Sequence, residues 1–264
     1  MSYTATKDMR FRFEGLGLAA STGEIPGIFS INKYGQVSDM DEADAKKTLW
    51  NGPTDVWVPP TTARIHDIVS TSAQDASGGI GALTVKVLGL DGNYDLAQEV
   101  VTLTGTTNVA TTNSYTRIFR MIVVTAGSSE ANDGDITATA RTDGTVSAKI
   151  GSGESQTLMA IYTVPAGHTA FLTNIYATFN RSQLGAAKVY VDLKQRESID
   201  SNPVVKLKSR DSLSISGVAN LQRPYFPYRE FVEKSDIFME VSGATSDDSE
   251  ITGGFDLIIV RNTV

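Results

Sequence analysis

The sequence of 264 residues contains no cysteine. Disulfide bonds and thiolate metal sites are therefore excluded, so stability must come from packing and from assembly, as is usual in a reducing cytoplasm. Residues 1–8 lack the apolar core of a signal peptide, and no apolar run approaches the roughly 20 residues that a membrane-spanning helix needs. We therefore expect no membrane partner and no export by a standard signal.

Positive charge is also scarce, because 23 lysines and arginines stand against 30 aspartates and glutamates, for a net charge of -7. Nucleic acids and anionic membranes bind basic surfaces, so we expect neither as a partner. A hydrophobic fraction of 41% and a charged fraction of 20% are ordinary for a globular protein. The chain is long enough for one large β-domain or two smaller ones.

Motifs of enzymes and cofactor sites are missing as well. Only two histidines are present, His66 and His168. If the chain contains two duplicated units, they lie near equivalent places in separate units, so we expect no shared metal site. Residues 151–155 lack the Gly-x-Ser-x-Gly order of a nucleophile elbow, and no phosphate-binding loop occurs. We therefore predict no enzyme, no catalytic residue, no cofactor and no metal, although carboxylates that meet only in space are left open.

Three loops contain several carboxylates each and are candidate cation sites. Residues 91–95 begin like a calcium loop, but Leu96 and Thr102 stand where such a loop needs glycine and glutamate. Residues 133–135 and 247–250 leave two interpretations open, a hard cation held among loop carbonyls or a simply solvated acidic loop.

Short alternating runs dominate the rest of the chain and predict β-structure. Residues 82–90 alternate apolar and polar side chains, residues 91–93 form a turn, and residues 98–103 continue as the second strand of a hairpin. We predict a mainly β fold with two β-sandwich or jelly-roll-like units, 61–150 and 151–264, preceded by an N-terminal arm, 1–60.

The two predicted units share a sequence pattern. Residues 164–175 can be laid on residues 58–68 with one gap, and each unit ends with two strand-like runs around a loop rich in small and polar residues. A duplication explains this pattern, and with only two copies chance explains it too.

The predicted arm contains one short helix, from residue 40 to residue 49. Asp39 and Glu42 have capping-box spacing, and Lys46 and Lys47 lie near the helix C-terminus. Earlier in the arm, Phe11 and Phe13 alternate with arginines and would share one face of a strand. That strand either belongs to the same subunit or docks on a neighbouring molecule.

Both tryptophans of the chain, Trp50 and Trp57, lie at the end of the arm beside Gly52-Pro53 and Pro59-Pro60. Large rings on irregular backbone need a surface that buries them, which is either the first β-unit or an adjacent subunit. We expect that deleting residues 1–48 leaves both β-units folded and weakens assembly.

The second unit holds two further interface candidates. If residues 189–196 and 205–210 are neighbouring strands, they form a basic strip of Lys194, Arg196, Lys206, Lys208 and Arg210, which is either a solvated face or a contact for an acidic partner. Residues 223–229 concentrate the aromatic residues Tyr225, Phe226 and Tyr228 between two prolines. Such a segment fills either a core corner or an interface.

Residues 72–75 and 81–85, with Gly89-Leu90-Asp91 and residues 101–106, resemble virion structural proteins of tailed bacteriophages of the marine and cyanophage type. Residues 31–35, 49–52 and 157–167 extend the resemblance to most of the chain. It implies a location in the virion after assembly in the host cytoplasm. It also implies copies of the chain itself, in a trimer, and the major capsid protein or other virion proteins as partners.

The preferred function from the sequence is therefore a capsid decoration or stabilising protein without enzymatic activity. Two alternatives stay open. One is a tail or head-tail adaptor component, and the other is a carbohydrate-binding or receptor-binding β-sandwich protein.

Overall fold

A computed structural model describes residues 22–23, 25–181, 187–197, 204–215 and 219–262. The elements of this part of the chain are β-strands in antiparallel sheets, which confirms the predicted β class. No helix within these ranges is both long and apolar enough to cross a lipid bilayer.

The strands follow one another from Ile28 to Arg261 with short connections. In chain order they are β1 (Ile28–Met40), β2 (Lys47–Thr48), β3 (His66–Ser70), β4 (Ala82–Leu90), β5 (Leu96–Thr102), β6 (Val109–Ala110), β7 (Arg117–Ala126), β8 (Ile136–Ala140), β9 (Val146–Ile150), β10 (Ile161–Thr163), β11 (His168–Arg181), β12 (Ala187–Glu197), β13 (Val205–Ile215), β14 (Ala219–Phe231), β15 (Ser235–Ala244) and β16 (Ser249–Arg261).

These strands form four sheets. Sheet 1 has the order β1-β16-β11-β14, and sheet 2 has the order β10-β15-β12-β13 with β2 added beside β15. Sheet 3 has the order β6-β3-β8-β9, and sheet 4 has the order β5-β4-β7. The predicted hairpin is β4 and β5, in which Leu90 faces Leu96.

Two hydrophobic cores lie between these sheets. On β12, Val189, Val191 and Leu193 point inward while Asp192 and Lys194 lie on the other face, as the two-residue period of a strand requires. Sheets 1 and 2 bury their inner faces in the first core, and sheets 3 and 4 bury theirs in the second. The unit limits at residues 60 and 150 stay predictions.

The two pairs of sheets repeat one strand order. Adding eight to the strand numbers of the first pair of sheets gives the order of the second pair. The order β6-β3-β8 of sheet 3 becomes β14-β11-β16 of sheet 1, and the order β5-β4-β7 of sheet 4 becomes β13-β12-β15 of sheet 2. For three of these couples, β3 with β11, β7 with β15 and β8 with β16, the sequence pattern of the two units indicates the same correspondence. This topology supports the predicted duplication.

Two strands of the predicted arm, β1 and β2, belong to the sheets. β1 pairs with β16 from Ile28 opposite Val260 to Met40 opposite Ser249, and β2 pairs with β15. A Cβ atom at Gly35 would lie 2.0 Å from the Leu49 carbonyl oxygen, so only glycine lets β1 cross the chain there. The assignment of residues 28–48 to a separate arm is therefore corrected.

The helix predicted from residue 40 to residue 49 is wrong. Met40 ends β1, turns and irregular backbone follow, and Thr48 ends β2. The acidic side chains cap loops instead of a helix, because Asp44 accepts a hydrogen bond from the amide of Asp41 and Asp247 accepts one from the amide of Glu42. Strand pairing on both sides overrides the local helix signals.

A buried ion pair connects the two units. The Arg117 guanidinium at the start of β7 donates to both carboxylate oxygens of Asp236 on β15, at 2.8 Å and 3.1 Å. Asp236 is fully buried and also accepts a hydrogen bond from the hydroxyl of Thr163. Two-pronged pairs of this kind fix the orientation of both groups.

Replacing Asp236 by alanine leaves the Arg117 charge buried without its carboxylate, so we expect a loss of about 3–5 kcal/mol in the free energy of unfolding, measured by urea titration. The matched control is Lys206→Ala, which breaks the partly exposed pair with Glu197 and should lose less than about 1 kcal/mol. Equal losses in the two variants would contradict the structural importance of the buried pair.

Deleting residues 1–48 removes β1 and β2 from sheets 1 and 2, so we now expect the remaining chain to melt far below the intact protein or to aggregate. Deleting residues 1–21 removes no described strand and serves as the control. Differential scanning calorimetry of both truncations checks this, and identical melting temperatures would contradict it.

Lys33 is buried on the inner side of β1, where its ammonium group donates to the Phe119 carbonyl oxygen. Burial, with the charge of Arg120 adding to it, holds the Lys33 pKa well below 10.5. The unfolded chain then binds more protons between the folded-state pKa and 10.5, so stability rises with pH through that window. Urea midpoints across this pH range should rise in the wild type relative to Lys33→Met, and parallel curves would contradict this.

Candidate functional site

The interface residues predicted from the sequence have different positions in the structure. Phe11 and Phe13 lie outside the described residues. Trp50 and Trp57 are 5% and 2% exposed in the second core. The Trp57 ring packs beside the Phe238 ring, and its indole N–H donates to the Ser147 carbonyl oxygen at 3.4 Å. The surface that buries both tryptophan rings is therefore in this chain, which is one of the two alternatives predicted from the sequence.

The predicted basic strip is divided between two faces. β12 and β13 are neighbours as predicted, but their pairing register shifts at one point. Leu207 pairs with Lys194 and Ser209 pairs with Leu193, so Lys208 between them has no pairing partner on β12. One extra residue in a strand reverses the faces of the residues beyond it. Lys206 therefore lies on a different face from Arg210.

Most cations of that strip are neutralised within the chain. Lys194 and Arg210 both contact the buried Asp192 carboxylate, and hydrogen bonds from Arg210 and Lys194 hold the Asp192 pKa low although burial alone would raise it. Arg196 lies 3.5 Å from Asp236, and its guanidinium carbon lies 5.8 Å from the centroid of the Trp57 ring and 5.4 Å from that of the Phe238 ring. Four of the five cations of the strip thus form ion pairs within this chain, and Lys208 lies over the Phe231 ring.

The aromatic segment forms a backbone bulge on β14. Pro224 faces Asn174 and Arg229 faces Leu172, so residues 225–228 loop out of the pairing between β14 and β11. Tyr225 turns inward and packs against the first core, whereas Phe226 is 94% exposed. The Phe226 ring contacts the Tyr228 ring edge to face, with centroids 6.4 Å apart. One aromatic residue thus anchors the bulge and two face outward.

Exposed apolar side chains lie on and next to the two strands β13 and β14, and we call this set of residues the apolar edge. It consists of Val204, Val205, Leu207, Phe226 and Val232. β13 and β14 lie side by side here, since the Arg229 guanidinium donates to the Lys208 carbonyl oxygen. Val205 and Leu207 of β13 were predicted to lie on the dry face of this strand, so their exposure corrects that prediction. The register shift at Lys208 is what turns Leu207 outward.

A polar groove lies on the outer face of sheet 1 beside the bulge. Its volume is about 290 Å³, and Ser30, Asn32, Thr173, Tyr228, Asp256 and Ile258 line it together with Ile31 and Leu257. Asp256 faces both Asn32 and Asn174 across the strands, so these three side chains share one face. The sequence did not predict this group of side chains, because its members become neighbours only through the pairing of β1, β16 and β11.

A hydrogen-bond network fixes the floor of this polar groove. The Asp256 carboxylate accepts from the Asn32 amide at 2.7 Å and from the Asn174 amide at 3.3 Å. The Asn32 amide also donates to the Tyr176 hydroxyl at 3.0 Å. Burial, above all, raises the Tyr176 pKa, so this hydroxyl stays protonated at neutral pH. The arrangement presents fixed acceptors to the solvent.

The two loops considered for cations differ in their surroundings. In the first, Asp135 forms an ion pair with Lys149, and the Ser72 hydroxyl donates to Asp133. In the second, the Asp248 carboxylate comes within 4.8 Å of those of Asp39 and Asp41. Neighbouring acidic groups of this kind are also common in solvated loops.

The two histidines lie in different sheets. His66 on β3 contacts the Ser147 hydroxyl at 2.8 Å, and burial lowers its pKa. His168 at the start of β11 packs its ring against Phe29 and contacts the Ala166 carbonyl oxygen. Each histidine is held by its own neighbours.

No protein-family model matches the chain, and no curated protein matches it. Among solved structures, a family 11 carbohydrate-binding module from Clostridium thermocellum is 12% identical over 48% of this chain and 75% of that chain, with a TM-score of 0.22. VP2 of infectious bursal disease virus is 10% identical over 89% of this chain and 69% of that chain, with a TM-score of 0.19. The spike protein P1 stem and receptor-binding domain of bacteriophage PM2 is 9% identical over 89% and 96%, also with a TM-score of 0.19. The chain therefore has only weak structural similarity to viral capsid and spike β-domains and to a carbohydrate-binding module, and no specific family is shown.

Proposed function

We propose that this chain is a non-enzymatic structural protein of a tailed-phage particle that decorates the capsid by binding the major capsid protein through its apolar edge. The observation that carries this proposal is the exposure of that edge. Phe226 is 94% exposed, and Leu207 on the neighbouring strand is 50% exposed. Exposed apolar groups that cluster on a soluble protein mark contacts with other proteins.

The backbone at the apolar edge also suits a protein partner. β13 is the last strand of sheet 2, and β14 is the last strand of sheet 1. Strands at sheet ends carry backbone donors and acceptors that pair readily with another chain. An aromatic side chain at the centre of such a contact typically dominates its binding energy. The edge therefore combines an anchor, Phe226, with backbone that a partner can cover.

The buried carboxylates support a structural rather than a catalytic role. Asp192 contacts Lys194 and Arg210, and Glu240 lies 3.5 Å from both Lys46 and Lys194. A catalytic carboxylate works with a pKa tuned to its reaction, whereas each of these two carboxylates is paired with cations of the same chain. Their arrangement supports a protein whose charges stabilise its fold.

The proposed assembly is a trimer of this chain bound to the capsid surface. The resemblance of the sequence to virion proteins supports it, and the cysteine-free composition fits assembly in the host cytoplasm before release. A tail or head-tail adaptor component would use the same edge on a different partner, and its number of copies per particle would be far smaller.

Two measurements test this proposal. Quantitative mass spectrometry of purified particles should find the chain in hundreds of copies, whereas about a dozen would indicate the tail. In a binding assay on particles that lack the protein, Phe226→Asp and Val205→Asp should each weaken attachment by about thirtyfold or more, because a charge replaces an apolar contact.

The matched control is Val124→Asp, because Val124 is 52% exposed on β7 and lies outside the apolar edge. It should bind particles like the wild type. Absence of the chain from particles would contradict the proposal, and so would unchanged attachment of both edge variants. Light scattering of each variant separates a loss of trimers from a loss of capsid binding.

A further inference from the structure

The polar groove of sheet 1 is a second surface with features of a binding site. No residue of the apolar edge lines it, although Phe226 of that edge packs against Tyr228 of the groove. Its floor is the Asp256 carboxylate, whose two described hydrogen bonds come from Asn32 and Asn174. An ionised carboxylate offers about four lone-pair positions. About two acceptor positions of Asp256 are therefore left for a ligand.

The two asparagines leave Asp256 as the acceptor that this floor offers to a ligand. Asn174 does not line the groove, and its Oδ1 atom is buried. Asn32 lines the groove and uses its amide nitrogen for both Asp256 and the Tyr176 hydroxyl. A ligand that matches this floor must therefore bring hydrogen-bond donors to the remaining acceptor positions of Asp256.

Tyr228 and Ile258 contribute apolar surface to the groove. Tyr228 stands on the bulge of β14 and is 43% exposed, and Ile258 lies on the floor beside Asp256. A tyrosine ring offers a flat apolar surface with a polar end, so it can cover the C–H face of a ligand whose hydroxyl groups point sideways. Sugar rings have this combination of one apolar face and a rim of hydroxyl donors.

The volume and the charge of the groove limit the class of ligand that fits it. About 290 Å³ is at the small end of the range for small-molecule sites, which suits one or two sugar rings. The charged residue that lines the groove is Asp256. Arg120 donates to the backbone carbonyl of Asn32 from the adjoining cavity. An anionic sugar would meet the Asp256 charge directly, so an uncharged sugar fits better.

We propose that the groove between Tyr228 and Asp256 on the outer face of sheet 1 binds the terminal uncharged sugar of a glycan.

The test is a printed array of oligosaccharides that contains glucose-, galactose-, mannose- and N-acetylglucosamine-terminated members together with sialylated and sulfated ones. The wild-type chain should be retained by at least one uncharged member. Tyr228→Ala should weaken that binding by about tenfold or more, because it removes the apolar wall. Ser30→Trp fills the groove from an exposed position without removing a hydrogen bond, and it should abolish the binding.

Val205→Asp is the matched control, because Val205 belongs to the apolar edge and does not line the groove. It should lose attachment to particles and keep the glycan. The inference is overturned if no uncharged glycan retains the wild type, if only anionic glycans do, or if Ser30→Trp binds as well as the wild type. Circular dichroism of each variant confirms that a loss of binding is not a loss of fold.

Discussion

The arrangement of the two units depends on one buried ion pair, Arg117 with Asp236. Both charges lie where water cannot solvate them, so each is tolerable only while the other stays in place. The partners come from different cores, since Arg117 begins β7 and Asp236 lies on β15. Trp57 lies against Arg117, and Arg196 contacts both the Trp57 and the Phe238 rings. The contact therefore joins sheet 4, which contains β7, to sheet 2, which contains β15.

The sequence predicted the fold where local pattern and tertiary structure agree. Alternation located β4, the turn after it and β12, because half-buried strands carry the two-residue period themselves. It failed at residues 40–49, where acidic and basic residues have helix spacing but Met40 and Leu49 are fully buried between strands. No local signal reports that β1 finds a partner more than 200 residues away, so long-range pairing overrode a local preference there.

The candidate sites show the same limit. Composition identified the aromatic segment, and the structure leaves Phe226 and Tyr228 outside while it turns Tyr225 inward. Tryptophans next to prolines gave no information on whether their own chain or another one covers them. The polar groove could not be predicted, because Asn32, Asn174 and Asp256 are far apart in sequence and meet only through the register of three strands. The basic strip failed for a smaller reason, one unpaired residue at Lys208.

β1 has a consequence for synthesis of the chain. In the first unit, β8 finds its outer neighbour β9 immediately downstream, whereas β16 of the second unit takes β1 from the other end of the chain. On the ribosome, strands β3 to β9 of the first unit can pair with one another as soon as they emerge. β1 stays unpaired until β16, near the other end of the chain, has been synthesised. Sheet 1 is therefore a late, high-contact-order element of folding. During that interval the β1 strand of one nascent chain is available to the β16 strand of another, which gives closely spaced ribosomes on one message a route to strand-exchanged dimers.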